Sequence, residues 1–88
     1  MKSVLFYWGK GADTRVAIIK TIGVCNERKE PCFLNQIAQA NNLSHVAIMK
    51  HLSLLMEEGY VRELNPDGKP IYLELTENGK KILREFTK

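Results

Sequence analysis

The sequence lacks the patterns that mark enzymes, membrane proteins and secreted proteins. It has no Gly-rich phosphate loop, no nucleophile beside a clear base and no cluster of carboxylates, so we expect neither catalytic residues nor an enzymatic function. The longest apolar run, Val4–Trp8, is too short to cross a bilayer or to form the apolar part of a secretory signal. We therefore expect a cytoplasmic protein with no membrane contact.

Internal repeats and low-complexity segments are also missing, which favours one small domain over residues 1–88. A chain of this length buries only roughly 60 to 65% of its unfolded surface, so a partner subunit would add stability. The formal net charge of +3 suits a folded domain that meets phosphate on one face. That charge is weak support by itself, because many domains carry a similar excess.

The N-terminal quarter combines an apolar segment with a predicted helix. Val4–Trp8 has no polar face and needs a partner surface, but its pattern does not decide between strand and helix. Asp13 or Thr14 is expected to cap a helix that continues to about Cys25.

A helix-turn-helix is predicted in the middle of the chain. Cys32–Leu34 favours a very short strand, and Asn35 is expected to cap a small helix that ends near Asn41. Ser44 then caps a longer amphipathic helix that continues to Glu58. Two helices joined by so short a turn form a helix-turn-helix.

The longer helix has two distinct faces at about 100° per residue. Ile48, Leu52 and Leu55 form one stripe, which we expect to face the core. The residues expected to contact DNA lie on the opposite stripe or near the N-terminal end: Ser44, His45, Val46, Met49, Lys50 and Ser53. The first turns of such a helix enter the major groove.

Lys50 is the strongest single candidate on this outer face, for a guanine edge or a phosphate. Val46 and Met49 could add apolar contact with a thymine methyl group. An ordinary solvated helix face is the competing interpretation. It predicts several long charged side chains, whereas Val46, Ala47 and Met49 are small or apolar.

A β-hairpin is predicted directly after this helix. The strands are Tyr60–Leu64 and Ile71–Leu75, and the turn chemistry of residues 65–70 joins them as a wing. Arg62 and Lys69 would then flank a minor groove or its phosphates. Alternatively, these basic side chains only keep the hairpin soluble.

Two small residues mark the ends of the neighbouring helices. Gly59 fits the left-handed position that ends many helices, and Thr76 is expected to cap a final helix. The apolar stripe of that helix, Ile82, Leu83 and Phe86, either folds back on the core or pairs with another subunit.

Three segments carry a family resemblance that extends from about Asp13 onward. Asp13–Arg15 with Ile18 and Ile19 resembles the start of the first core helix of ArsR-type regulators. A second set is similar to the recognition helix of ArsR and MarR-type winged-helix repressors: Leu43, Ser44, Ile48, Lys50, His51, Leu52, Leu55, Gly59 and Val61. Leu75–Lys80 is similar to the segment with which many of these proteins leave the wing.

The resemblance implies an α+β, mostly helical fold: a dimeric winged helix-turn-helix with a C-terminal helix. It implies that residues 1–12 and the last helix form the homodimer interface, and that the two recognition helices bind half-sites of double-stranded DNA about one turn apart. The small size and overall sequence also resemble winged-helix proteins of hyperthermophilic archaeal viruses, which implies a host-cell cytoplasm.

Metal-sensing ArsR proteins carry thiolates at the positions that correspond to Phe33 and Asn35, and neither residue is a cysteine. Metal binding at that site is therefore not expected. Four residues have a superficially finger-like spacing: Cys25, Cys32, His45 and His51. The gap between the two cysteines exceeds the usual two to four residues, and the two histidines project from separated faces of one helix. We therefore expect no metal and no cofactor.

The two cysteines permit three states. Reduced buried thiols are usual in a cytosol, whereas intracellular disulfides occur in hyperthermophiles. A bridge between Cys25 and Cys32 would close a short loop and add roughly 2 to 3 kcal/mol. Because the end of the first helix can lie near the subunit contact in the resembled family, a bridge between subunits is an equal alternative.

The sequence therefore predicts a homodimeric transcription regulator that binds specific double-stranded DNA. Its recognition helix, residues 44–58, lies in the major groove, and its wing, residues 65–70, lies on the flanking groove or backbone. The alternative is a winged-helix protein-interaction module with negligible DNA affinity, even at low salt.

Overall fold

A computed structural model of the protein describes residues 4–65, 68 and 71–87. The predicted α+β, mostly helical class is confirmed. The described elements in chain order are α1 (Val4–Tyr7), α2 (Ala12–Glu27), α3 (Leu34–Ala40), α4 (His45–Glu57), β1 (Val61–Glu63), β2 (Leu73–Leu75) and α5 (Glu77–Phe86). Helix α2 contributes three fully buried isoleucines to the single core, Ile18, Ile19 and Ile22.

The start of α2 differs from the prediction. Gly11 precedes the helix with a φ of 88°, so the helix begins before the predicted caps Asp13 and Thr14. Glycine adopts this left-handed conformation without the cost that a side chain would add. Asp13 lies in the first turn instead, where its charge favours the positive end of the helix dipole.

The apolar segment at the N-terminus is a helix, which answers the question that its pattern left open. The Phe6 side chain is 3% exposed and packs edge-on against Tyr60, with the ring centroids 4.9 Å apart. Tyr7 stacks at a tilt on Phe86 of α5. Phe6 and Tyr7 therefore pack against their own chain, whereas Trp8, which follows α1, is 69% exposed.

The start of α3 also corrects the sequence prediction. Phe33, not Asn35, is the residue before the helix, and its N–H donates to the Gln36 side-chain oxygen at 3.2 Å. Asn35 lies inside the first turn. Instead of the predicted strand Cys32–Leu34, Phe33 makes an isolated antiparallel bridge with Tyr72.

Strands β1 and β2 form an antiparallel pair that is shorter than predicted. Val61 pairs with Leu75, and both side chains are buried. The Asn26 side chain joins β2 to the end of α2, because its oxygen accepts from Leu75 N–H at 3.0 Å and its amide donates to the Leu73 carbonyl at 3.4 Å. A contact between distant parts of the chain thus places the base of the hairpin.

Candidate nucleic-acid interface

Helix α4 begins where the sequence predicted. The Ser44 hydroxyl accepts a hydrogen bond from Ala47 N–H at 3.1 Å, which satisfies one of the free donors in the first turn. At the other end, Gly59 has a φ of 82° and ends the helix as predicted. Similarly, the Thr76 hydroxyl accepts from Gly79 N–H at 3.2 Å at the start of α5.

The two faces of α4 are separated as their spacing predicted. Ile48, Leu52 and Leu55 are fully buried in the core. On the outer face, Val46 is 76% exposed, and the other predicted contact residues are exposed or, for Met49, half-buried: Ser44, His45, Lys50 and Ser53. The outer residues border one shallow surface groove: Val46, Met49, Lys50, Ser53, Leu54 and Glu57.

The helix-turn-helix carries a positive charge but almost no negative charge. The sequence has no acidic residue between Glu30 and Glu57, and Lys50 is the single lysine or arginine in that interval. Glu57 and Glu58 are exposed at the C-terminal end of α4. Phosphate would thus meet a lysine on the first turns of the outer face and be repelled at the last turn.

The described part of the hairpin contributes one cation, Arg62, and that cation has a partner. Arg62 on β1 lies opposite Glu74 on β2, and Arg62 Nε donates to Glu74 Oε1 at 2.6 Å. The side chain of Arg62 is exposed, so it faces solvent while paired. Lys69, the predicted cation at the tip, lies outside the described residues, as does most of the turn at residues 65–70.

Arg15 of α2 lies close to His51 of α4. Arg15 donates to the Leu5 carbonyl at 2.9 Å and to the Lys10 carbonyl at 3.2 Å, and thereby ties α1 and the loop after it to α2. Burial, Arg15 and Lys50 together lower the pKa of His51 below its usual value. The sequence did not predict this arrangement, because Arg15 and His51 are far apart along the chain.

Cys25 and Cys32 lie beside each other at the end of α2 as free thiols. Burial and a hydrogen bond with Cys25 raise the pKa of the Cys32 thiol well above its usual value. Within residues 4–65, 68 and 71–87, no three His, Cys, Asp or Glu side chains gather where they could hold a metal ion.

Solved structures share this fold. The reduced form of MarR from E. coli aligns over 82% of this chain with a TM-score of 0.71 at 16% identity. The adhesin competence repressor AdcR from Streptococcus pyogenes aligns over 85% with a TM-score of 0.71 at 25% identity. FabT from Streptococcus pneumoniae, solved in complex with DNA, aligns over 93% with a TM-score of 0.69 at 22% identity.

These similarities define the fold as the winged helix of MarR-type proteins. The chain spans only 52%, 53% and 58% of the length of the three structures. No protein-family model and no curated protein matches it in sequence.

The predicted origin in an archaeal virus stays a prediction. None of the described helices is long and apolar enough to span a membrane.

Proposed function

We propose that this protein is a sequence-specific regulator of transcription that binds double-stranded DNA and has no enzymatic activity. The observation that carries the proposal is the outer face of α4, where Val46, Lys50 and Ser53 project away from the core without any neighbouring acid on the first turns. A helix of this kind fits the major groove, and its cation favours phosphate or a guanine edge.

We propose that the hairpin and its wing extend the DNA-binding surface formed by α4. Arg62 at its base, and Lys69 at its tip, would lie against the flanking groove or backbone. FabT, whose structure includes DNA, has the same fold. Under this proposal the protein acts in the cytoplasm as a homodimer that binds two half-sites.

Apolar surface away from α4 supports the homodimer. Trp8 and Val24 are both large, exposed apolar residues, and Val24 borders a shallow surface depression together with Leu83 and Phe86 of α5. Covering such surface with a second copy would remove it from water. Sedimentation in solution tests this part: a monomer at micromolar concentration would contradict it.

Selection of bound duplexes from a random DNA pool tests the function. We expect a defined site and an affinity that falls steeply as salt rises. Lys50→Ala and Lys69→Ala should weaken binding, whereas Arg28→Ala removes an equal charge from the exposed C-terminal end of α2 and should have little effect. Negligible DNA binding at low salt would instead favour a protein-interaction module.

A further inference from the structure

The position of Val46 has no explanation within the folded chain. Valine is a weaker helix former than leucine, lysine or glutamine, because its branched side chain loses rotamer freedom in a helix. Burial usually compensates for that cost, but Val46 is 76% exposed. Neither local propensity nor packing therefore accounts for a valine in the first turn of α4.

The surroundings of Val46 favour a negatively charged partner that also offers small apolar groups. Lys50 is exposed one turn further along the same face, and the sequence has no acidic residue from Pro31 to Met56. The major groove of DNA combines phosphates with the C5-methyl groups of thymine. An apolar protein partner would match Val46 but would leave the lysine without a counter-charge.

Helix geometry limits how far apart the two contacts can lie. Val46 and Lys50 are separated by one turn, which corresponds to roughly 6 Å along the helix axis. Base pairs are spaced about 3.4 Å apart along one strand. The two side chains therefore address positions within about two base-pair steps of each other.

We infer that Val46 contacts the C5-methyl group of a thymine in the major groove, within about two base pairs of the position that Lys50 contacts. This inference rests on the proposed DNA-binding function and specifies one base of the bound site. Lys50 supplies the charge-dependent part of the contact, and Val46 supplies discrimination between thymine and the other bases.

Replacing single thymines of the selected duplex by deoxyuridine tests the inference, because this removes only the methyl group. For the wild-type protein we expect one position per half-site at which the replacement weakens binding about threefold to fivefold, the effect of burying one methyl group. Val46→Ala should bind the thymine and deoxyuridine duplexes equally well.

Val46→Ile is the matched control, because it keeps a branched apolar side chain at the same position and should retain the preference for thymine. Thermal unfolding of both variants should match that of the wild-type protein, since Val46 does not belong to the core. A preference for thymine that survives Val46→Ala, or binding that is indifferent to deoxyuridine at every position, overturns the inference and leaves the proposed function intact. If the wild-type protein binds no duplex at low salt, the proposed function fails, and the inference fails with it.

Discussion

Arg62 on β1 and Glu74 on β2 are directly opposite each other in the antiparallel register, and Arg62 Nε donates to Glu74 Oε1 at 2.6 Å. The arginine is exposed, so solvent screens the pair, and an exposed cross-strand pair contributes roughly 0.2 to 1 kcal/mol to stability. Its larger effect is on charge, because the Glu74 carboxylate neutralises the one cation in the described part of the hairpin.

Glu74→Gln should strengthen DNA binding at low salt. The substitution keeps a hydrogen-bond acceptor beside Arg62 but removes the negative charge that competes with phosphate. If Arg62 then contacts one more phosphate, the slope of log affinity against log salt concentration becomes steeper by up to about 0.9 for each subunit. Titration of the selected duplex at several salt concentrations measures both effects.

Glu63→Gln is the control for this change. It removes an equal charge from the same strand as Arg62 without removing the partner of Arg62. Equal gains in affinity for Glu63→Gln and Glu74→Gln would show that only the overall charge matters, which contradicts a specific competition at Arg62.

Lys50→Ala should distinguish a base contact from a phosphate contact. If Lys50 binds a guanine edge, the loss is about 1 to 3 kcal/mol and specificity relaxes at one position of the site. If it binds phosphate, the loss of affinity is uniform over all sequences. The slope of log affinity against log salt concentration then becomes shallower by about one. Binding to a set of single-base variants of the selected site measures this difference, and unchanged binding to all of them would remove Lys50 from the interface.

The free energy of unfolding should decrease as the pH falls below the ordinary pKa of histidine, 6.5. The folded state lowers the pKa of His51, so the unfolded chain takes up this proton first and gains stability from it. Above pH 6.5 the group is neutral in both states and has no effect. Urea unfolding of wild type and His51→Gln between pH 7.5 and 5.5 should show a smaller decrease in the variant. A decrease that is identical in the wild-type protein and in His51→Gln would mean that other groups cause it.

Gly79→Ala should destabilise the protein more than Gly59→Ala does. A Cβ atom at Gly79 would collide with the backbone carbonyl of Tyr60, where α5 approaches the end of the α4 segment closely. We expect a cost of about 3 kcal/mol, at the upper end for overpacking. At Gly59 the space is open and the φ of 82° alone adds about 1 kcal/mol. Denaturant midpoints measure both, and equal losses would contradict this placement of α5.

Oxidation should join Cys25 to Cys32 within one chain. With oxidised glutathione, the Cys25 thiolate releases one glutathione and forms a mixed disulfide, and Cys32 then displaces the second glutathione. Because burial raises the pKa of Cys32, we expect the half-buried Cys25 to react first. Non-reducing electrophoresis should show a monomer with no free thiols, whereas a linked dimer that is lost in Cys25→Ser would establish the alternative bridge between subunits.

Much of the fold follows from patterns within short stretches of the chain. The alternation of buried Ile48, Leu52 and Leu55 with exposed Val46 and Lys50 predicted both faces of α4, because a helix presents every third or fourth residue on one side. The hydroxyl caps at the starts of α4 and α5 were predicted for a similar reason: each bonds an N–H three residues away. These interactions are local, and the sequence alone encodes them.

Other features depend on residues that are distant along the chain. The helical state of α1 is supported by the packing of Phe6 on Tyr60, which no local pattern specifies. The predicted caps Asp13 and Asn35 were wrong because Gly11 and Phe33 provide earlier starts. The local pattern offered several compatible starting residues.

The features of the candidate site also fall into a local group and a group that depends on distant residues. The residue types and spacing on α4 by themselves determined which side chains face outward and where the cation lies among them. Only the tertiary structure decided that Arg62 is paired with Glu74, that burial and the nearby Arg15 lower the pKa of His51, and that the two thiols are neighbours. The physical reason is that helix faces depend on local hydrogen bonding, whereas charge pairing and burial depend on which distant segments the core brings together.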